Sequence, residues 1–581
     1  MLKNIPKITQ SFSRVIKENM IYADKTEYIY NLLNNYLVCF LCRPRRFGKS
    51  LLLSTIESLF SGERDLFKGL WIDSSDYTFQ KHPVIHLSMD YSETSEPGML
   101  KQEIMLDLQE LGESEGLSIT DLTLDAALKQ LVKGLYKKYN SFQSTAVDDQ
   151  VKLDPDRKVV ILIDEYDAPI IDNIENSKVA KANQKILHDF YRGFKKLDKF
   201  IHFIFITGIS QAGRAALGQT TNNIDDISLM PEYAGICGFT LQDLDSLFAD
   251  RYEETLNVLI AKKKMQPDAT VADLRKKLLH WYDGYVFDGE TPFDETTSDK
   301  PIRVLNPYSI VKFFKVKSFK DYWLKSGPPT FLTKLIANDH DSFIFKTPLR
   351  APEENLSTFN PVDDSPIPIL FQTGYLTLSG NSSENEDDPY TLEIPNQEVE
   401  RSYPKAFYQA YFGYENINKL ISKGKLFKTS ILNHNAAAIE KLLENALAKL
   451  SSEQHIPLEK YYHSVIQAFI GGMGIDARSQ VSSSMGKSDL DLVFSNNVYV
   501  IIEVKFEKEP KKSSTMTIED KRKKSRSLAK KALEQITRKE YSNHYALQAK
   551  KIIELGLGIF GRSKVGVLIR NGKPPTDQER I

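Results

Sequence analysis

The stretch Tyr36–Phe60, YLVCFLCRPRRFGKSLLLSTIESLF, decides the fold class of the N-terminal half. Tyr36 to Cys42 is an apolar run long enough for a buried strand. Arg43 to Phe47 is a tight basic turn, and Gly48-Lys49-Ser50 opens an amphipathic helix. Strand, loop, Gly-Lys-Ser and helix are what a phosphate-binding loop requires. Backbone N–H groups and the helix N-terminus face the anion, Lys49 reaches the β- and γ-phosphates, and the Ser50 hydroxyl ligates Mg²⁺. The expected nucleotide-contacting residues are Arg46, Phe47, Gly48, Lys49, Ser50 and Leu51. The general pattern asks for a glycine at position 43, where this chain has Arg43 followed by Pro44. Arg43, Arg45 and Arg46 are expected to supply by charge what the missing glycine's backbone does not. Gly486-Lys487-Ser488 repeats the tripeptide but runs into the alternating DLDLVF and so opens a strand. Context, with a strand before and a helix after, separates the two.

A length of 581 residues allows about three to four domain-sized units. A net charge of −1 gives no global pull toward nucleic acid or membrane, so any basic patch has to be local. Three cysteines in a chain of this size argue for a reducing compartment without structural disulfides. Met1 to Tyr36 has no apolar core of signal-peptide length, and no window approaches the ~18 apolar residues of a membrane span. A cytoplasmic protein without membrane contact is expected, with export by a signal-independent route left open.

Ala23-Asp24-Lys25-Thr26 precedes a helical pattern (Tyr28, Leu32, Leu33) that Asp24 or Thr26 could cap. Cys39 and Cys42 are three apart on a strand and so point to opposite faces, which fits buried core thiols better than a zinc or redox pair. A short strand, Pro83 to Leu87, a long helical region from about Gly98 to Tyr139, and a polar loop follow. Val159-Val160-Ile161-Leu162-Ile163 then ends in Asp164-Glu165-Tyr166-Asp167, the pattern of a buried parallel strand whose C-terminal end meets a ligand crevice. Asp164 is expected to hold Mg²⁺ through water and Glu165 to polarise an attacking water. The plainer alternative is a strand ending in a solvated acidic turn. A helix over Lys178–Leu197 leads to another strand, His202–Ile206, ending in Thr207-Gly208-Ile209-Ser210. Thr207 is the candidate γ-phosphate sensor, and Arg214 is either an arginine finger or a surface residue. This alternation of strand and helix implies a parallel sheet covered on both faces.

Residues 240 to 425 read as mostly helical, with exposed acidic loops at Asp294–Lys300 and Asn381–Pro389. Trp281-Tyr282-Asp283-Gly284-Tyr285, Asn306-Pro307-Tyr308 and Gly374-Tyr375-Leu376 supply aromatics that read as core, and no catalytic constellation stands out. Two further helices, Asn433–Leu450 and about Leu458–Ile470, precede a hairpin of Ser488–Phe494 and Val498–Phe506. On its second strand Tyr499, Ile501, Glu503 and Lys505 share a face. Burying a carboxylate and an ammonium there is costly unless they pair or bind an ion. Asp489 and Glu503 are therefore expected Mg²⁺ ligands, with Lys505 positioning water or offsetting charge on a phosphorane. An exposed Glu–Lys pair is the alternative. From Lys505 to Glu540 there are 13 Lys/Arg against 6 Asp/Glu, a net of +7. Lys508–Ser527 reads as a basic loop and Leu528–Ile536 as a helix, and the strip fits contact with a nucleic-acid backbone.

Together these residues resemble the AAA-ATPase-like proteins that carry a C-terminal PD-(D/E)XK nuclease domain, across nearly the whole chain. Asp24-Lys25-Thr26 looks like the family's D-K-T, and Arg43 to Ser50 its usual loop, which also lacks the first glycine. Asp164 to Asp167, Thr207 to Ser210, Asn222 to Asp226, Trp281 to Tyr285 and Ile394-Pro395-Asn396 continue the match. In the C-terminal part Glu459 with Tyr462-His463 resembles E-x-x-Y-H. Gly486-Lys487-Ser488-Asp489 resembles G-R-x-D, Glu503-Val504-Lys505 E-x-K, and Gln535-Ile536 with Tyr541 the trailing Q-I…Y helix. Ser479-Gln480 departs from the family's Ser-Glu.

The resemblance implies ATP and Mg²⁺ as cofactors and nucleic acid, with DNA the expected form, as partner of the C-terminal domain. It adds Glu459 and Gln535 to Glu165, Asp489, Glu503 and Lys505 as catalytic candidates. The expected fold is α/β: a P-loop NTPase parallel-sheet domain over residues 1–240, a mostly helical lid or connector over 241–430, and a PD-(D/E)XK nuclease-like domain over 431–581. A homo-oligomer is allowed. The competing reading is a nucleotide-dependent switch or interaction protein whose nuclease-like domain binds without cutting.

Overall fold

The apolar run before the basic turn forms strand β1, Val38–Cys42. Val84–Ser88 (β2), Val159–Asp164 (β3), Ile201–Gly208 (β4) and Asp225–Asp226 (β5) join it in the spatial order β2-β3-β4-β1-β5, every pairing parallel. This is a computed structural model of the chain. It describes residues 3–7, 9–91, 94–120, 123–140, 156–173, 176–212, 224–293, 300–323, 348–353, 356, 367–381, 389–402, 408, 417–450, 459–475, 477–479, 482–483, 486–494, 497–510, 516–545 and 548–572. The candidate Arg214, Asn222-Asn223 and Gln480 lie outside these residues, as do most of the two acidic loops.

Every residue of β3 is buried, as a strand covered on both faces must be. Strands β1, β4 and β3 are adjacent, so the basic turn, Thr207 and Asp164 meet at one edge, where ligands bind in parallel sheets. The helix after the turn, Lys49–Phe60, buries Leu52, Leu53, Ile56, Leu59 and Phe60. Asp24 accepts the N–H and hydroxyl of Thr26, the first residue of the Thr26–Asn35 helix (2.9 and 2.6 Å), but the N-cap position is Lys25, which makes no side-chain cap bond, so neither Asp24 nor Thr26 is its N-cap. The long helical region read over Gly98–Tyr139 is two helices, Met99–Ser114 and Leu124–Asn140. The chain turns between them at Gly116, whose φ is 71°.

The chain divides into two compact units, residues 1–326 with 350–398 and residues 327–349 with 399–581. In the first, the helices Tyr252–Ala261, Val271–Tyr282 and Pro307–Val316 surround an apolar cluster that includes Phe248, Trp281, Tyr282 and Phe313. Trp281, Tyr282, Tyr285 and Tyr375 are therefore buried, as read, whereas Tyr308 is only half-buried. Short strands Phe239–Thr240, Tyr285–Val286 and Arg303–Leu305 form a small antiparallel sheet among these helices. Two recurring motifs become each other's partners here. Asn396 donates to the carbonyl of Asp283 (3.0 Å), and buried Glu398 accepts from Ser309 Oγ and from the N–H groups of Tyr322 and Trp323.

In the second unit five strands run in the order Ala477–Ser479, Leu490–Phe494, Val498–Glu507, Lys551–Phe560, Lys564–Asn571. Only Val498–Glu507 and Lys551–Phe560 pair in parallel, which requires a crossover between them. The helix Ile518–Arg538 is that crossover, and it corrects the reading of Lys508–Ser527 as a basic loop. A capping box of Thr517 and Asp520 starts it ten residues before Leu528. Its buried stripe is Ser525, Leu528, Ala529, Ala532, Leu533 and Ile536, and the small residues hide the apolar period from a sequence reading. Where the helix crosses the sheet, three strand positions are glycine. A Cβ on Gly556, Gly558 or Gly566 would lie 2.2 Å from Ala529 O, 2.0 Å from Ser525 O or 2.5 Å from Arg526 N. Helix backbone therefore rests directly on strand backbone. Among the described residues no helix is long and apolar enough to cross a membrane.

Candidate functional sites

At the N-terminal site the basic turn is braced from behind by Arg43. Its buried guanidinium donates to the carbonyls of Cys42 (2.9 Å), Ser228 (2.6 Å) and Tyr233 (3.1 Å) and lies 4.2 Å from the Phe287 ring centre. Burial lowers its pKa to about 10, which leaves it charged at neutral pH. Donors committed to three carbonyls cannot reach a phosphate, which corrects the expectation that all three arginines act on the anion. Arg45 and Arg46 are exposed, and Arg46 lies 5.2 Å over the Tyr308 ring. Removing the brace orphans the carbonyls of Ser228 and Tyr233 and opens a cavity. Arg43→Ala should therefore destabilise the first unit by about 3–5 kcal/mol, measured by urea denaturation. A change below ~1 kcal/mol would show that the brace is dispensable.

Gly48 opens the helix at φ 99°, a backbone state that glycine adopts without strain. Lys49 is buried, and its Nζ donates to the carbonyls of Arg43 (2.8 Å) and Pro44 (3.1 Å), within its own loop. Across the crevice Asp164 Oδ1 accepts the Thr207 hydroxyl (2.7 Å) and the Glu165 N–H (3.0 Å). Thr207 is thus a partner of Asp164, and it fixes that carboxylate's orientation. Asp167 accepts from Ser210 Oγ, Ser210 N and Ile209 N (2.5, 2.8 and 3.2 Å), tying the acidic motif to the turn after β4. Glu165 sits at φ 51°, an unusual state for a non-glycine residue and one that clusters at functional sites. Its carboxyl is raised to about 7 by burial, then by Asp90 and Asp164.

A cavity of about 630 Å³ opens here, within the size range of ligand sites, lined among others by Arg46, Gly48, Lys49, Ser50, Glu165 and Tyr308. Phe47 and Leu51 also line it, whereas Asp164 and Thr207 are not among its lining residues. Cys39 and Cys42 are buried with thiols raised by desolvation, as core cysteines should be.

The C-terminal candidates converge equally closely. Glu503 is buried on the central strand, and its Oε1 accepts from Lys505 Nζ (3.3 Å) and from the amide of Gln535. Its other oxygen, Oε2, is buried and has no hydrogen-bond partner among the described residues. Lys505 is also held by Glu459 Oε1 (3.1 Å), while Glu459 Oε2 accepts the Phe506 N–H (3.0 Å). Asp489 Oδ2 accepts the Val504 N–H (2.8 Å), and its carbonyl meets His463 Nε2 (2.6 Å). Burial, reinforced by Asp489, raises the Glu503 carboxyl to about 8, and burial also raises Asp489. Burial opposes the charge on Lys505, but Glu503 and Glu459 outweigh it and leave its pKa raised.

An orphaned carboxylate oxygen beside a second desolvated carboxylate is the environment a cation relieves. Among the described residues no group of three or more His, Cys, Asp or Glu gathers at metal-binding distance. Asp489 and Glu503 are the carboxylates of this site that could share a cation.

The sequence reading missed the glycines that make this geometry. Gly556 and Gly558 are the parallel-register partners of Glu503 and Lys505. With no Cβ in the way, the Ile518–Arg538 helix comes close enough for Gln535 to reach Glu503. Glycines two apart in an otherwise aliphatic strand, LGLGIF, were the available signal.

Residues 6–217 match the family model described as "Predicted AAA-ATPase", and residues 458–566 match that of the PD-(D/E)XK nuclease superfamily. A relative described as "Uncharacterized protein in vnfD 5'region", from Azotobacter chroococcum mcd 1, is 28% identical over 578 residues, covering 98% of this chain and 99% of that protein.

Proposed function

From the premise of an AAA-ATPase-like domain and a PD-(D/E)XK nuclease-superfamily domain in one chain, we propose an ATP-dependent, Mg²⁺-dependent nuclease acting on DNA. The observation that supports this best is Glu503, buried, held at one oxygen by Lys505 and Gln535 and unpartnered at the other.

At the nucleotide site Lys49 would turn toward the β- and γ-phosphates, and Ser50 and Asp164 would hold Mg²⁺. Thr207 keeps Asp164 aimed. Glu165, with a carboxyl near neutrality, takes the proton of the attacking water. At the nuclease site Asp489 and Glu503 would hold Mg²⁺, which would supply charge stabilisation at the phosphate and a more acidic water. Gln535 fixes the Glu503 rotamer, and Glu459 fixes Lys505 so that its ammonium faces the scissile phosphate. The domain organisation is read as 1–240, 241–430 and 431–581, with the nucleotide site gating cleavage.

The test incubates duplex DNA with protein, Mg²⁺ and ATP. Wild type should cleave, Asp489→Ala should not, and Lys49→Ala should lose the ATP effect while its Mg²⁺-dependent basal cleavage persists. Equal behaviour of wild type and Asp489→Ala sinks the nuclease assignment and leaves a nucleotide-dependent switch that binds without cutting.

A further inference from the structure

The basic residues of the Ile518–Arg538 helix cover most of its exposed surface, and three of them line up on the side that carries Gln535. Lys524, Lys531 and Arg538 recur every seven residues, so they stay within about 40° of one another. They stand about 10.5 Å apart along the axis. All three are exposed. Gln535 lies four residues after Lys531 and three before Arg538, which puts it on the same side of the helix. Gln535 touches Glu503, so this stripe borders the metal-site candidate.

Some charges on other faces are paired, although exposed Lys530 has no ion-pair partner among the described residues. Arg526 pairs with Glu440 at 3.4 Å, and Lys523 lies 3.9 Å from Glu519. On the stripe, Lys524 is 3.5 Å from Glu507 in an exposed pair that solvent and salt screen. Lys531 and Arg538 have no ion-pair partner among the described residues. The exposed acids beside them are Glu534 and, at the helix start, Asp520, which is committed to its cap. A line of cations along one side of the helix offers successive contacts to a polyanionic backbone.

We propose that Lys524, Lys531 and Arg538 form a phosphate track that lays the DNA backbone alongside Gln535 and leads it into the Asp489–Glu503 site. This rests on the nuclease reading and adds which surface carries the substrate. The track contacts phosphates and not base edges, so it orients the strand without selecting sequence.

The experiment measures binding of a labelled duplex DNA by fluorescence anisotropy across a KCl series, with the full-length protein. The variants are the double substitution Lys531→Gln/Arg538→Gln and the control Lys523→Gln/Lys530→Gln, which removes equal charge from another face of the same helix. Each lost phosphate contact removes about 0.9 from the slope of log affinity against log salt. The track double variant should thus lose about 1.8, equally for unrelated sequences, and the control should keep the wild-type slope. Equal losses in both pairs, or an unchanged slope in the first, overturn the track. Cleavage by wild type that Glu503→Gln abolishes, seen alongside either result, shows that only the track has failed. Absence of both binding and cleavage in wild type overturns the nuclease reading with it.

Discussion

Glu503→Gln should abolish Mg²⁺-dependent cleavage, by at least about 10³-fold, while the C-terminal unit stays folded and becomes less sensitive to pH. The substitution keeps the side chain's shape and its contact with Lys505, but removes the anion that a cation would bind. The pH effect follows from linkage. Glu503 titrates near 8 in the fold and in the ordinary carboxylate range when unfolded, so between those values the folded chain holds the extra proton. Its contribution to stability is fully present below the ordinary carboxylate range and is lost as pH rises to about 8. Metal-free wild type should therefore lose melting temperature from pH 6 to 8.5, and Glu503→Gln should show a flatter profile. Mg²⁺ should restore wild type most at the alkaline end, because binding there displaces the fewest protons. Calorimetry with and without Mg²⁺ reads all three. A wild-type profile that is flat without metal would remove the desolvated carboxylate from the account.

Gly558→Ala should be the most damaging single methyl in the C-terminal unit. The added Cβ would meet Ser525 O at 2.0 Å and Ala529 N at 2.4 Å, both helix backbone atoms. A side-chain tip can swing aside at small cost, but here the whole Ile518–Arg538 helix has to lift. Inserting a methylene into a packed core costs about 1–3 kcal/mol when side chains can adjust, so about 3 kcal/mol or more is expected here. The same lift would withdraw Gln535 from Glu503, so cleavage should fall even where folded protein is recovered. Urea denaturation and activity per folded molecule check both halves, and a midpoint equal to wild type would contradict the backbone contact.

Much of this was legible before any coordinates. The strand, turn and helix around Gly48 and the aliphatic run into Asp164 are local patterns, written in consecutive residues by burial and by anion chemistry. Asp489, Glu503 and Lys505 were legible for a related reason: period-2 alternation places Glu503 and Lys505 on one face, and a buried charge needs a purpose. Arg43 was misread because a basic turn next to a phosphate loop looks like anion binding. Its carbonyl partners come from Ser228 and Tyr233, nearly two hundred residues away. The Ile518–Arg538 helix was cut short because serine and alanine fill its buried stripe, and Gly556 and Gly558 were passed over because an absent side chain leaves no pattern.

Lys49 is held by carbonyls of its own loop, and this would bear on the timing of a nucleotide cycle. Two of the three N–H donors of Lys49 are on the carbonyls of Arg43 and Pro44, so an entering phosphate would compete with them for the ammonium. Part of the binding free energy would go to that competition, and association should be slower than encounter alone dictates. Departure is eased by the same contacts, since the ammonium has a place to return to as the phosphate leaves. The chain can thus pass from one nucleotide to the next without ever holding a buried, unpaired cation.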